Sequence, residues 1–294
     1  MTKVRNGPGT PLGNLRGTGW MILTGFFFVG VTGLVRYLGT DMNPVQTAFI
    51  RYFFGFVLMI PVFLRLEKLR PSSKTLGLHV SRGLLHAIGV SLWFFAMARI
   101  PIAEVTALGF LSPIFTTIGA ALFLGEKLRI RRIGAVLIGF GGTLVILRPG
   151  FEAISIGSLA QVAAAPVFAG SFLIAKKLTE SESSTSIVAY LSIIVTVVLL
   201  PPALLSWRPP TFTEWSLLFC VAALATAGHV TLVKAFESAE ITVTQPAQFL
   251  QLVWATLLGL LVFGEQPIIW TWVGGVIIVG SATYIAHRES RNPN

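Results

Sequence analysis

The sequence predicts an all-α integral membrane protein of about ten transmembrane helices, arranged as two inverted five-helix repeats. Three observations predict this class. Of the 294 residues, 54% are hydrophobic and only 12% are charged, which is about half the charged fraction of an ordinary soluble protein. Apolar runs of roughly 18 or more residues recur along the chain, and such runs are typical of membrane-spanning helices. The two halves of the chain also resemble each other.

Turn-forming residues separate the apolar runs and limit each predicted span. Pro71, Pro101 and Pro149 stand in the gaps between runs, where proline ends a helix readily. The predicted spans are 17–38, 44–64, 77–98, 103–124, 132–148, 157–176, 186–205, 215–236, 243–263 and 268–286.

The basic residues indicate how these spans are oriented. The net charge is +10, and its Lys and Arg residues concentrate in every second connection. Cytoplasmic loops of membrane proteins carry this excess, so both termini are predicted to be cytoplasmic in a bacterial-type inner membrane. The basic groups are Lys3, Arg5 and Arg16; Arg65, Lys68, Arg70 and Lys74; Lys127, Arg129, Arg131 and Arg132; Lys176 and Lys177; and Arg288 and Arg291.

An internal repeat links the two halves of the chain. Residues 120–126 read AALFLGE, and residues 259–265, which lie 139 positions later, read GLLVFGE. At the same offset Phe110 matches Phe249. Further matches, at an offset of 140, are Gly30 with Gly170 and Arg36 with Lys176.

The repeat predicts an inverted duplication. Each half holds five spans, an odd number, so the second copy enters the membrane from the opposite side. Inverted repeats are a common architecture of secondary transporters, in which the two halves exchange conformations to give alternating access. The predicted halves are residues 1–150 and 151–294.

One region of the first half carries a resemblance to a known family. The fourth span contains a proline and ends in FLGEKL, and RRIGAVLIGFGGTLVILRPG follows it. Over residues 15–287 the chain resembles the EamA branch of the drug/metabolite transporter superfamily, although the second half has GEQP in place of GEKL. The resemblance implies a central cavity lined by spans 1, 3, 4, 6, 8 and 9. Within the branch, the chain is similar to bacterial exporters of aromatic and other amino acids.

A row of glutamines marks the candidate substrate site. Gln245, Gln248 and Gln251 are three residues apart on one face of the ninth span. A row of amides facing lipid would lack hydrogen-bond partners in hydrocarbon, which is costly. The repeat-equivalent positions on the fourth span include Thr106 and Ser112. We predict that these five residues line the substrate cavity; the alternative is that they join helices by hydrogen bonds.

Aromatic residues far from the predicted membrane interfaces are the second set of candidates. Trp93 and Trp254 lie deep in their spans, whereas tryptophan usually collects at the interfaces. With Phe110 they are predicted to form an apolar pocket for an aromatic group of the substrate. Packing against lipid or a neighbouring helix is the alternative.

Two histidines and one arginine are the deepest ionisable groups that the sequence indicates. His86 and His229 fall near the middle of the third and eighth spans, and we predict that they contact the substrate. Histidine can also act as a proton switch, and a hydrogen-bonded structural histidine is the alternative. Arg51, about two turns into the second span, requires a partner. The acidic residues fall near span ends, which argues against a carboxylate proton relay.

These features predict a secondary transporter that exports an aromatic amino acid across the inner membrane by alternating access. Two alternatives remain open: uptake of a nucleoside-like metabolite such as S-adenosylmethionine, and efflux of drug-like cations.

Several other classes of protein and partner are not expected. No motif of a membrane enzyme is present, so the chain is predicted not to be an enzyme. Cys220 is the single cysteine, which excludes a zinc site of several cysteines, and neither metal nor cofactor is expected. The expected partners are a small-molecule substrate and the lipid bilayer. Nucleic acid is not expected, because no basic face with interleaved aromatics lies outside the membrane. Monomer and homodimer both remain open.

Overall fold

The computed structural model describes residues 10–65, 73–125, 130–148 and 155–264, and pieces of 269–284 at 269–270, 272–277, 280–281 and 284. The helices of the continuous part are, in chain order, α1 (Pro11–Leu38), α2 (Pro44–Arg65), α3 (Ser73–Met97), α4 (Ile102–Gly109), α5 (Leu111–Leu124), α6 (Ile130–Leu147), α7 (Ile156–Leu178), α8 (Ser184–Leu205), α9 (Phe212–Ser238), α10 (Ile241–Thr244), a 3₁₀ segment (Gln245–Phe249) and α11 (Leu250–Phe263).

These helices confirm the multi-pass membrane class. Eight stretches among the described residues are long and apolar enough to cross a membrane, and they coincide with predicted spans 1–4 and 6–9. The fifth predicted span is α6, whose apolar part, Ile133–Gly142, is shorter. The tenth, 268–286, lies in the region that is described only in pieces.

The fourth and ninth spans differ from the continuous helices that hydropathy predicts. Helix α4 ends at Gly109, four residues before Pro113, and helix α10 gives way to a 3₁₀ segment around Pro246. Proline lacks the N–H that would bond to the carbonyl four residues earlier, and its ring clashes with that carbonyl. Both spans are therefore interrupted partway along their length, at repeat-equivalent places.

Polar side chains at the helix starts satisfy N–H groups that have no partner inside the helix. Thr10 Oγ1 accepts from the Gly13 N–H at 3.1 Å, with Pro11 as the first helical residue, so α1 begins earlier than the predicted residue 17. Ser155 accepts from the Ser158 N–H at 3.1 Å at the start of α7.

The packing of the helices shows that the second repeat is inverted. Helix α1 packs along α9, α3 along α7, and α2 along α8. Exchanging the two halves therefore turns the α1–α9 pair into the α7–α3 pair, and it turns the α2–α8 pair into itself. Gly17 lies against Ala239, whereas Gly30 lies against Leu224, so α1 and α9 run antiparallel. The first and third helices of one half run in the same direction, and a parallel duplication would make α1 and α9 parallel as well.

The close contacts themselves are duplicated. A Cβ added to Gly30 would lie 3.1 Å from Leu224 Cδ1, and one added to Gly170 would lie 3.1 Å from Leu85 Cδ1. Gly30 and Gly170 are 140 positions apart, and Leu85 and Leu224 are 139 apart, which are the two offsets of the sequence repeat. The repeat that the sequence indicates is therefore present in the packing between the halves.

Glycine allows the two halves to approach closely at Gly17, and this contact supports a prediction. A Cβ there would lie 2.6 Å from Ala239 Cβ and 3.2 Å from the Ala235 carbonyl oxygen. Gly17→Val should therefore destabilise the fold by roughly 1–3 kcal/mol, the usual cost of overpacking. The measurement is the thermal unfolding midpoint of the purified protein in detergent.

Gly19 provides the matched control, because it is exposed on the same helix and a Cβ there would meet nothing within 4 Å. Gly19→Val makes the same change in intrinsic helix propensity, which favours valine over glycine by a few tenths of a kcal/mol, and it should leave the midpoint close to that of the wild type or slightly above it. Equal shifts in the two variants would show that the close approach of α1 to α9 does not limit stability.

Candidate substrate-binding site

A cavity lies between the two halves, with an empty volume of about 750 Å³ that includes its open mouth. Its walls come from spans 1, 3, 4, 6, 8 and 9, the set that the resemblance implies. Its aromatic lining residues are Phe28, Trp93, Phe110, Phe168 and Phe172, and its polar ones are Thr32, His86, Thr106, Ser112, Gln161, His229, Gln248 and Gln251.

Two phenylalanines contribute to this cavity symmetrically. The Phe28 ring lies over Gly228, and the Phe168 ring lies over Gly89. Phe28 and Phe168 are repeat equivalents 140 positions apart, and Gly89 and Gly228 are repeat equivalents 139 positions apart. Trp93 makes edge contacts with both rings, at centroid distances of 6.0 Å to Phe28 and 6.2 Å to Phe168. The three side chains form an aromatic cluster on the cavity wall.

The breaks in the fourth and ninth spans lie against the same cavity. Phe110 occupies the junction of α4 and α5, and its ring contacts that of its repeat equivalent, Phe249, at 4.8 Å. Gln248 lies in the 3₁₀ segment, where its Nε2 is 3.3 Å from Met21 Sδ. Gln251 follows on α11, with its Cβ 3.4 Å from the position of a Cβ on Gly25. The breaks thus place an aromatic ring and an amide on the cavity wall.

The two histidines lie side by side on the cavity wall. Their ring centroids are 5.0 Å apart. His86 Nδ1 is 3.0 Å from the Ser171 hydroxyl, and His229 Nε2 is 3.4 Å from the Tyr52 hydroxyl. Each imidazole is therefore fixed by one partner from another helix, so the structural and the substrate-contacting roles are compatible.

Three buried polar atoms on the cavity lining have no hydrogen-bond partner within the described part of the protein. They are Ser112 Oγ, Gln161 Oε1 and His229 Nδ1. A buried polar group left without a partner costs about 1–3 kcal/mol. Around the cavity, a ligand or water can supply the partners of these three groups.

The structure brings most of the predicted site residues to this cavity, but not all of them. Trp93, Thr106, Phe110, Ser112, Gln248, Gln251, His86 and His229 line it. Gln245 is completely buried and lies outside the lining. Trp254 is 37% exposed and contacts Phe26 at 6.5 Å, on the outer surface of α11.

Sequence reasoning missed Gln161 on α7 and Arg82 on α3. The Gln161 amide lies over Gly109, with Nε2 3.2 Å from the position of a Cβ there. An amide inside an apolar run carries the same cost as the glutamines of the ninth span, so the same argument applied to the sixth span would have identified it. Arg82 is fully buried, one helical turn before His86.

Comparison with known proteins identifies the family. The model of the EamA-like transporter family matches residues 15–148 and again residues 155–286. The chain belongs to the EamA-like transporter family. As an EamA-family member it is a multi-pass membrane protein, and the curated relatives that it matches are named as transporters.

Those relatives carry different compounds. The chain is 31% identical to the S-adenosylmethionine uptake transporter of Rickettsia bellii, over 94% of each chain. It is 34% identical to the riboflavin transporter of Vibrio cholerae, over 94% of this chain and 95% of that one. It is 27% identical to the pseudopaline exporter of Pseudomonas aeruginosa, over 88% of this chain and 91% of that one.

A solved structure shares the EamA fold seen here. It superposes with a TM-score of 0.72 over 94% of this chain and 98% of that chain, at 19% identity. At this identity the likeness concerns the fold alone.

Proposed function

We propose that this EamA-family protein is a secondary transporter for a small metabolite with a planar nitrogen heterocycle, of the flavin or nucleoside class, and that it acts in uptake by alternating access. The observation that carries the proposal is the aromatic cluster of Phe28, Trp93 and Phe168 beside the amides of Gln161, Gln248 and Gln251 in one central cavity. Aromatic side chains stack on a planar ring, and amides can pair with its hydrogen-bonding edge.

The relatives support the heterocyclic class. Riboflavin and S-adenosylmethionine, which the matched relatives are named for, both contain a planar nitrogen heterocycle. The amides and hydroxyls of the cavity suit such a ring better than they suit a purely apolar one. The nucleoside-like alternative of the sequence analysis thereby becomes the leading candidate.

Export of an aromatic amino acid is the second candidate. The same aromatic cluster fits the side chain of tryptophan or phenylalanine. None of the three relatives is named for an aromatic amino acid, so the relatives do not favour this candidate. Efflux of a drug-like cation is less favoured, because the described lining contains no carboxylate, although aromatic faces alone attract cations.

A counterflow assay in proteoliposomes tests the proposal. Vesicles loaded with an unlabelled compound are diluted into the same labelled compound, with riboflavin, S-adenosylmethionine, tryptophan and tetraphenylphosphonium tested in turn. We expect counterflow of riboflavin or S-adenosylmethionine at least ~10-fold above empty vesicles and above tryptophan. Counterflow of tryptophan alone would establish the second candidate, and that of tetraphenylphosphonium alone would establish cation efflux.

We further propose that both termini are cytoplasmic, because the basic connections alternate along the chain. Helix α8 then begins at the cytoplasmic surface and ends at the periplasmic one. In a Cys220→Ser background, Ser181→Cys should react with a membrane-impermeant maleimide only in inverted vesicles, and Ser206→Cys only in intact cells. Both serines are exposed, and the opposite labelling pattern would reverse the topology.

A further inference from the structure

Two arginines are buried inside the membrane-spanning bundle next to the cavity. Arg51 on α2 is 3% exposed, and Arg82 on α3 is not exposed at all. The ion pairs among the described residues involve His79, Lys177 and Arg208, and none includes Arg51 or Arg82. An arginine at the centre of a membrane helix costs about 2.5–3.5 kcal/mol on insertion scales. Two buried arginines on neighbouring helices would be stabilised further by an opposing charge.

The Arg82 guanidinium is not fully satisfied by the protein. Arg82 Nη1 donates to the Ile187 carbonyl at 2.9 Å, but its Nε and Nη2 have no acceptor among the described residues. The central carbon of the Arg51 guanidinium lies 3.7 Å from the centre of the Tyr52 ring. Glu182 is the carboxylate near this side of α3, and it is already paired with His79 at 2.8 Å.

The arginines are not part of the repeated architecture. The position equivalent to Arg51 in the second half is Leu191, 140 residues later, and that equivalent to Arg82 is Val221, 139 residues later. Both equivalents are buried apolar residues. The fold therefore accommodates an aliphatic side chain at either place, and the two charges belong to one half alone.

Tyr52 connects these charges to the cavity. Its hydroxyl is 3.4 Å from His229 Nε2, and the Arg51 guanidinium lies over its ring. If the hydroxyl donates to Nε2, the proton of a neutral His229 lies on Nδ1. Nδ1 then becomes a donor, and it has no acceptor in the described protein. His229 itself lines the cavity.

We propose that a basic region at one side of the cavity, which we call the basic end, binds an anionic group of the substrate, a carboxylate or a phosphate. It consists of His86 and His229, which line the cavity, and of the buried Arg51, Tyr52 and Arg82, which lie outside the lining. His229 Nδ1–H donates to that group. Arg51 and Arg82 act on it through the low-dielectric interior without touching it. The inference rests on the proposed function, which assigns a planar ring to the substrate, and it adds that the substrate also carries an acidic group.

Matched pairs of compounds test the charge requirement separately from the ring. Binding to the purified protein is measured for riboflavin against riboflavin 5′-phosphate, and for tryptamine against tryptophan. We expect the acidic member of at least one pair to bind at least ~10-fold more tightly. The phosphate pair and the carboxylate pair show which anion the basic end prefers.

The variants then assign this preference to the arginines. Arg82→Gln and Arg51→Gln should each reduce the preference to about twofold while the non-acidic member binds as before. Arg82→Lys should retain most of the preference, because it keeps the charge. Arg99→Gln is the control, since Arg99 is exposed just beyond α3, and the variant should behave as the wild type.

Three outcomes would overturn the proposal. The wild type could bind the acidic and the non-acidic member of each pair equally well. Arg82→Gln could weaken the binding of both members equally, or Arg82→Lys could lose the preference for the acidic member as Arg82→Gln does. A protein that binds none of the ring compounds would contradict the proposed function instead. In that case the basic end is tested by the thermal shift that inorganic phosphate or acetate causes in the purified protein. A thermal shift by either one in the wild type but not in Arg51→Gln supports it, and no shift overturns it.

Discussion

Trp93→Ala is expected to lower transport at least tenfold at limiting substrate. Trp93 makes edge contacts with Phe28 and Phe168 on the cavity wall, and each aromatic pair contributes about 0.5–1.5 kcal/mol beyond its buried area. The substitution removes the aromatic face that we expect to pair with the substrate ring, together with the apolar area that this contact buries. Because 1.4 kcal/mol corresponds to tenfold in affinity, the effect should appear mainly as a higher KM in counterflow of the compound that the wild type carries.

Trp254→Ala is the matched control, and it should change KM by less than about twofold. Its indole lies outside the cavity lining and contacts Phe26, which is itself 58% exposed. The substitution removes as much aromatic surface as Trp93→Ala does. Equal losses in the two variants would mean that the aromatic residues act through bundle stability and not through the cavity.

The contrast between these two tryptophans shows what the sequence can and cannot predict about the site. Both lie deep in apolar spans, and sequence reasoning treats them alike. Lipid tails are as apolar as a leucine side chain, so a lipid-facing and an inward-facing apolar position have the same composition. Only the packing of α3 against α7 separates Trp93 from Trp254. The polar residues Thr106, Ser112, Gln248 and Gln251 were predictable because an amide or hydroxyl facing lipid would lack partners.

The spans were predictable for a related reason. In hydrocarbon, the backbone of a spanning segment bonds within its own helix, so an apolar run of sufficient length specifies a helix without knowledge of its neighbours. Pro113 and Pro246 predict an interruption of the fourth and ninth spans, although a kink alone is the commoner effect of a proline. The positions of the breaks, after Gly109 and Thr244, were not predicted, because hydropathy carries no information on backbone geometry.

Arg82 shows a different limit. Arg51 was predicted to be deep in its span and to require a partner, whereas burial of Arg82, which lies only one turn before His86, was not predicted. Depth in the membrane depends on where α3 begins, and this helix begins at Ser73, four residues earlier than predicted. With the earlier start, Arg82 lies well inside the helix. An error of four residues in the predicted start of α3 therefore made Arg82 look closer to the helix end than it is.

Lys176 is the residue for which we expect the largest effect outside the cavity. Its ammonium donates to the Phe236 carbonyl at 2.5 Å and to the Ala239 carbonyl at 2.8 Å, at the end of α9. Its repeat equivalent, Arg36, donates to the Ile100 carbonyl at 3.2 Å, and Ile100 and Ala239 are themselves equivalent. In each half, therefore, a basic side chain near the end of the first helix bonds to carbonyls at the end of the third helix. The dipole of the third helix also stabilises a cation at this end.

Lys176→Met should reduce transport at least tenfold and lower the thermal midpoint, because two carbonyls lose a charged donor and each such bond contributes about 1.5–3 kcal/mol. Lys176→Arg should restore most of the activity. Lys177→Met is the adjacent control: its side chain is 53% exposed and pairs with Glu180, and exposed ion pairs contribute about 0–1 kcal/mol. Counterflow rates that fall equally in Lys176→Met and Lys177→Met would show that loss of positive charge at this surface, and not the tie between α7 and α9, limits transport.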